Sequence, residues 1–305
     1  MGTPDFAVPT LESLLAWPGG RVVAVVTAPD RPAGRGRQLQ ASAVKEAALA
    51  HGLPVLQPTN LKSPEFQAEL QRYAADLQVV VAFRMLPEAV WNMPRLGSIN
   101  VHASLLPQYR GAAPINWALM HGDLETGITS FFLRHEIDTG DLIMQERVPI
   151  APDDDFGSLY DKLKVVGARL ARRSVEAIAA GTAPSTPQEP RPDLRPAPKL
   201  QKETGRLDFT RPTAELVNWV RGLSPTPAAF ASLPDGRILK IFRAQPVPLG
   251  AEVPPAAPGT WASDGRHSLR VAAADGWLEL LDVQLEGKKR LPVKELLLGF
   301  KLPAQ

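Results

Sequence analysis

The sequence predicts an α/β fold: a doubly wound, Rossmann-like, mostly parallel sheet domain followed by a C-terminal OB-like β-barrel domain. Three observations carry this. In the first half, continuous apolar runs, VVAVV within residues 21–27 and LQVVVAF at 77–83, alternate with segments of helical period. That is the rhythm of a parallel sheet whose strands are buried on both faces. After Gly181 the stretch TAPSTPQEPRPDLRPAPK is rich in proline and poor in apolar residues, so it reads as an extended, semi-rigid linker. Beyond it, about five short β-rich runs punctuated by turn residues suit a small barrel. The 305 residues therefore divide into a sheet domain at 1–182, a linker at 183–204 and a barrel domain at 205–305.

The elements follow in order. Residues 3–17 read as a turn plus an amphipathic helix, with Phe6, Val8, Leu11, Leu14 and Leu15 near helical spacing. A buried strand is expected at 21–27. Residues 28–40 hold Gly34, Gly36, Arg31, Arg35 and Arg37 and are too polar for a core element, so they should form a mobile loop at the carboxyl edge of the sheet. The glycine spacing there is not a phosphate-binding fingerprint. Helices are expected at 42–51 and at 63–75, the second opening with Ser-Pro, with short strands at 55–57 and 77–83. Residues 156–180 carry Leu159, Leu163, Val166, Leu170, Val175 and Ile178 close to a 3.6 period, a long amphipathic helix ended by Gly181. In the second domain a helix at 213–221 precedes strands at 228–232, 237–242, 259–262, 269–272 and 277–283.

The chain is organised around residues 98–145. A strand at 99–102 meets Ser104-Leu105-Leu106-Pro107, where proline stops regular structure. Asn100 and His102 stand at i and i+2, so both side chains leave one face of that strand. A helix-like run at 115–120 follows Pro114, and a strand at 128–133 delivers the chain to Asp138-Thr139-Gly140-Asp141, a turn in which Gly140 suits a positive φ. If that turn lies beside the first strand, Asp138 faces His102. Taken singly, each has a plainer reading: Asn100 as a strand-end residue, His102 as a hydrogen-bonded histidine, Asp138 as a turn former. His121 and His135 have no motif around them. A metal site from His102, His135 and Asp138 matches no ligand signature, so no metal is expected.

Composition sets the setting. Hydrophobic residues make up 44% and charged residues 22%, ordinary for a soluble globular protein. There is no cysteine, so disulfides and thiolate metal sites are excluded. No apolar run has membrane-spanning length, and a basic-then-apolar leader is lacking. A soluble, cytoplasmic monomer with no membrane role is expected. The net charge of +2 is split into −2 over residues 1–182 and +4 over 183–305, an asymmetry that suits phosphate contacts in the second domain. Lys288, Lys289 and Arg290 form its best basic cluster, with a solvated surface as the rival reading.

The blocks GTPDFA at 2–7, PDRPAGRG at 29–36, NVHASLLP at 100–107, RGAAP at 110–114 and DTGD at 138–141 resemble the methionyl-tRNA formyltransferase family. So do LYDKL at 159–163, KLQKE at 199–203 and GKK at 287–289, so the resemblance runs in order along nearly the whole chain. It implies transfer of a formyl group from 10-formyltetrahydrofolate to the amino group of methionyl-initiator tRNA. It also implies catalytic roles for Asn100, His102 and Asp138 and folate contacts at Ser104, Leu105, Leu106 and Pro107. The loop bearing Arg31, Arg35 and Arg37 is then the part that reaches the tRNA acceptor end.

The chemistry suits these residues: formyl transfer to an amine needs an oxyanion donor and a route for protons. Asn100 offers an amide donor, His102 an imidazole suited to proton exchange, and Asp138 a carboxylate to orient it. The sequence departs from the family's pattern in two places. In the family a first β-strand precedes GTPDFA, so the recorded start is expected to be too late. The turn RMLP at 84–87 stands where the family has a longer, glycine-containing one. Two alternatives stay open: a formyl-folate enzyme acting on a small amine or on water, and a catalytically inactive tRNA-binding protein.

Overall fold

The computed structural model describes residues 1–33, 38–248 and 255–303. The chain forms two compact units. The first comprises Met1–Gly111, Thr126–Pro149 and Tyr160–Pro196; the second comprises Ala112–Glu125, Ile150–Leu159 and Ala197–Gln305. Residues 112–125 and 150–159 thus join the second unit, and 183–196 join the first, unlike the division read from proline content.

The first unit opens with a 3-10 turn, Asp5–Ala7, and helix α1 (Val8–Leu15). Tyr160 fastens that turn: its hydroxyl donates to the Asp5 carboxylate at 2.6 Å and accepts from the Phe6 N–H at 3.0 Å. Strands β1 (Val25–Val26), β2 (Arg31–Ala33) and β3 (Gln38–Gln40) precede helix α2 (Ala43–Ala50), β4 (Val55–Leu56), α3 (Pro64–Arg72) and β5 (Gln78–Val81). Ser42 and Ser63 cap α2 and α3, accepting from the N–H of Lys45 and Phe66. Farther along the chain come α4 (Glu88–Trp91), β6 (Ser98–His102), α5 (Pro114–Met120), which falls in the second unit, β7 (Glu125–Phe132), β8 (Leu142–Pro149) and α6 (Phe156–Ala179).

The sheet is parallel-rich. β1 pairs with β4 and β5 with β6 in parallel, β7 runs antiparallel to β6, and β8 pairs with β7. Met1 and Gly2 link the two parallel pairs: the Met1 amino group donates to the Val79 carbonyl at 2.7 Å, Val81 N–H donates to the Met1 carbonyl, and Gly2 N–H donates to the Val26 carbonyl. The strand expected over 21–27 shrinks to Val25–Val26. Residues 21–24 border a cavity of about 440 Å³, with Leu14, Trp17, Leu77 and Val79 on its wall. With a cavity beside them these residues have no ladder neighbour among the described residues, and an apolar run alone does not make a strand.

The mobile loop expected at 28–40 is corrected in its flanks: β2 and β3 form an antiparallel hairpin with Arg31 opposite Gln40. Its base is held by Asp30, which accepts from Lys45 Nζ at 2.6 Å and Gln57 Nε2 at 2.8 Å. The core of this unit gathers Ile99, Val101, Ile128 and Phe131 of β6 and β7 with Leu163, Leu170, Val175 and Ile178 of α6, all buried. One polar link crosses it, Ser174 donating to Ser130 at 2.7 Å.

The second unit has α7 (Thr213–Leu223), β9 (Ala229–Ser232), β10 (Ile238–Pro248), β11 (Trp261–Ser263), β12 (Leu269–Ala272), β13 (Gly276–Leu285), β14 (Leu291–Pro292) and α8 (Val293–Leu296). Its sheet is antiparallel in the order β11-β12-β13-β10-β9, with β14 on β13. Among the described residues nothing pairs β9 to β11, so the closed OB-like barrel read from the sequence becomes an open sheet. The spine strands β10 and β13 are 11 and 10 residues long, whereas the edges β9 and β11 have only 4 and 3. Helix α5 belongs here because it packs on α7: Asn116 donates to the Gly222 carbonyl at 2.7 Å, and Trp117 meets Trp219 edge-on at 6.0 Å. A Cβ on Gly222 would come 2.6 Å from the Met120 side chain, so the close approach needs glycine.

Candidate active site

β6 lies inside the sheet, with Asn100 opposite Val80 on one side and Phe131 on the other, and His102 opposite Thr129. A central strand places its carboxyl end where ligands bind in such sheets. The pleat sends Asn100 and His102 to one face. Asn100 is half-buried, and among the described residues its carboxamide has no hydrogen-bond partner. His102 is buried, and its Nε2 lies 2.8 Å from the carbonyl of Tyr109. A carbonyl only accepts, so Nε2 carries a proton. The other nitrogen, Nδ1, faces Asp138 Oδ2 at 3.8 Å. The structure therefore brings His102 and Asp138 together, a proximity the sequence left conditional on that turn lying beside β6.

Asp138 is held by its own backbone and by a neighbour. Its φ of +55° lies in the left-handed region, which aspartate tolerates better than most residues. Its Oδ2 accepts from the Gly111 N–H at 2.9 Å. Tyr109, also left-handed at φ +60°, gives its carbonyl to His102. The glycine expected to need positive φ, Gly140, does not adopt it; it is required because a Cβ there would overlap the Phe132 carbonyl oxygen.

The segment 104–107 is braced from below. The Ser104 hydroxyl donates to the Gln108 carbonyl at 2.6 Å and its own carbonyl accepts from Thr129 Oγ1 at 2.6 Å. Leu106 N–H donates to Thr129 Oγ1, and Gln145 Nε2 donates to both the Leu106 carbonyl and Thr129. Ser104 and Leu106 are buried, while Leu105 and Pro107 are half-exposed. The Ser104 hydroxyl is thus committed to the loop.

A second brace comes from the proline-rich segment. Thr186 and Leu142 exchange backbone hydrogen bonds at 2.8 and 3.0 Å. The Gln188 carboxamide donates to the carbonyls of Asp138 and Gly140 and accepts from Arg110. The Arg195 carbonyl accepts from the Tyr109 N–H at 2.9 Å, and the Arg195 guanidinium lies 5.9 Å over the Tyr109 ring. Arg110 and Gly111 belong to the RGAAP block, but a lone glutamine among prolines carries no signal in the sequence.

Of the basic residues, Arg31 is exposed on β2, and Arg35 and Arg37 lie outside the described residues. In the 84–87 turn, Arg84 donates to the carbonyls of Pro58 and Thr59 and stacks 5.5 Å from the Phe83 ring. Burial and the nearby Arg31 charge both lower its pKa. Lys288 and Lys289 are exposed after β13 in the second unit. His121 and His135 are exposed. No group of three or more His, Asp or Glu among the described residues is arranged to hold a metal ion, and no described helix is long and apolar enough to cross a membrane.

A histidine–carboxylate pair at the end of a central strand of such a sheet is a setting for proton-coupled group transfer. Residues 2–175 match the formyl transferase family model and residues 199–301 match the model of the formyl transferase C-terminal domain. The chain belongs to the methionyl-tRNA formyltransferase family. A methionyl-tRNA formyltransferase of Bacteroides fragilis is 54% identical over 309 residues, covering 99% of this chain and 94% of that protein. Its counterpart in Porphyromonas gingivalis is 46% identical, covering 99% and 95%. Among solved structures, an N-formyltransferase from Helicobacter canadensis with folinic acid and dTDP-3-aminofucose has a TM-score of 0.64 at 18% identity, covering 93% of this chain and 97% of that one. HypX from Aquifex aeolicus with tetrahydrofolic acid has a TM-score of 0.57 at 22% identity, covering 82% and 43%, which supports the fold alone.

Proposed function

We propose that this chain transfers the formyl group of 10-formyltetrahydrofolate to the amino group of methionyl-initiator tRNA, as a soluble cytoplasmic monomer. The full-length similarity to proteins of that name carries the reading. In it, the free carboxamide of Asn100 donates to the formyl oxygen as charge grows there. His102 exchanges the protons of the attacking and leaving nitrogens. At 3.8 Å the approach of Nδ1 to Asp138 is an ion-pair distance rather than a hydrogen bond, which leaves Nδ1 the freer nitrogen for that exchange. Asp138 orients the ring. The residues fit the donor without a metal: the braced 104–107 segment would border the pterin, with Leu105 and Pro107 half-exposed for contact.

For the second unit, we read the antiparallel sheet as an OB-like module that contacts tRNA through Lys288 and Lys289, while Arg31, Arg35 and Arg37 serve the acceptor end. The deciding experiment is transfer of radiolabelled formyl from 10-formyltetrahydrofolate to Met-tRNA by the purified chain. Labelled formyl-Met-tRNA is the expected product. Label passing only to small amines or to water, with Met-tRNA unmodified, would overturn the reading.

A further inference from the structure

We infer that Gln188, in the proline-rich segment, is a positioning residue of the reaction: its carboxamide sets the Asp138 carboxylate against His102. This rests on the proposal that His102 and Asp138 are the reacting pair.

Gln188 is the residue turned inward. Between positions 184 and 193 its neighbours are exposed, and it alone is half-buried. Its hydrogen-bonding capacity is filled completely. Both hydrogens of Nε2 are used, on the Asp138 carbonyl at 2.8 Å and on the Gly140 carbonyl at 2.8 Å. Both lone pairs of Oε1 are used by Arg110, from Nε at 3.1 Å and Nη2 at 2.7 Å. A guanidinium gripping an amide oxygen polarises the amide, which strengthens its N–H donors.

These partners lie on the two segments that must meet for the site to exist. On one side is the left-handed backbone of Asp138, whose peptide plane Gln188 fixes at the carbonyl. On the other is Arg110, next to Gly111, whose N–H holds Asp138 Oδ2, and next to Tyr109, whose carbonyl holds His102 Nε2. Asp138 Oδ2, Gly111, Arg110 and Gln188 therefore close a ring back onto Asp138. With that ring intact Asp138 is held at both its carbonyl and its Oδ2; without the carboxamide, two carbonyls and a guanidinium lose their shared partner. The Thr186–Leu142 backbone pair two residues earlier holds the segment in register.

The test is the set Gln188→Ala, Gln188→Glu, Asp138→Ala and the double variant Gln188→Ala/Asp138→Ala, assayed by single-turnover formyl transfer. Displacing a catalytic group by about 1 Å costs about 100-fold, so kcat of Gln188→Ala should fall 10- to 100-fold on that scale. KM for both substrates should stay within about twofold, since uniform binding is untouched. Gln188→Glu keeps the Arg110 contact but has no N–H donor; it should fall equally, and it carries the test if Gln188→Ala melts below the assay temperature. In the Asp138→Ala background, Gln188→Ala should cost nothing further, because there is no carboxylate left to place. A further drop in that background, or a normal kcat in folded Gln188→Glu, would overturn the inference. If Asp138→Ala itself turns over normally, the assignment of the reacting pair has failed instead.

Discussion

At the scale of single residues, the site rests on atoms whose partners are fixed by chemistry. Because Tyr109 offers a carbonyl, the His102 tautomer is set, and because Asp138 Oδ2 accepts from the Gly111 N–H, its carboxylate is tied to the backbone of the neighbouring segment. His102→Ala and Asp138→Ala should each lower turnover about 10²- to 10⁴-fold, the span of acid–base assistance. Equilibrium binding of Met-tRNA should be nearly unchanged. Filter binding beside the transfer assay checks both, and near-normal turnover in either variant removes that residue from the reaction. Asp30 supports a pH prediction. Its hydrogen bonds from Lys45 and then Gln57 hold its carboxyl below the ordinary 3.8. A depressed acid contributes stability above its unfolded pKa and loses it as pH falls through the folded one. The melting-temperature gap between the protein and Asp30→Asn should therefore be widest at neutral pH and close below about 3.8. A gap that persists unchanged into acid would assign the effect to packing.

At the scale of elements, one hydroxyl supports the 104–107 segment. Thr129 is fully buried, accepts from Leu106 and Gln145 and donates to Ser104. Thr129→Val keeps the shape of the side chain and leaves the Leu106 N–H unpaired, at a cost of about 1–3 kcal/mol. Chemical denaturation should show that loss, and KM for the formyl donor should rise; unchanged stability would mean that water or a rotated Gln145 replaces the hydroxyl. This support also shows what was legible. The strand carrying Asn100 and His102, the long helix and the succession of short strands in the second unit follow from periodicity and turn residues. The shortened β1 was not, because strand formation depends on neighbours that an apolar run does not specify. The β2–β3 pair was hidden for the opposite reason: among the described residues these strands pair only with each other, and they lack an apolar pattern. Gln188 was illegible because its role is made entirely by carbonyls far along the chain, which carry no sequence signature.

At the scale of the molecule, the positive excess lies in residues 183–305 and the exposed Lys288 and Lys289 belong to it. If they neutralise phosphates, Met-tRNA binding weakens with salt. Each lysine removed should lower the slope of log affinity against log salt by about 1. Titration of the double alanine variant from low to physiological salt checks this, and an unaltered slope returns the pair to ordinary surface. The route of the chain carries a different consequence. It passes from one unit to the other at 111, 125, 149, 159 and 196, so the proline-rich segment is only the last of five crossings. A gene fusion cut there would inherit residues 197–305 without α5, leaving α7 with Leu216 and Val220 but without the helix that contributes Met120 to their core. The second unit is therefore not a cassette, and moving it between relatives requires transplanting the interleaved pieces together.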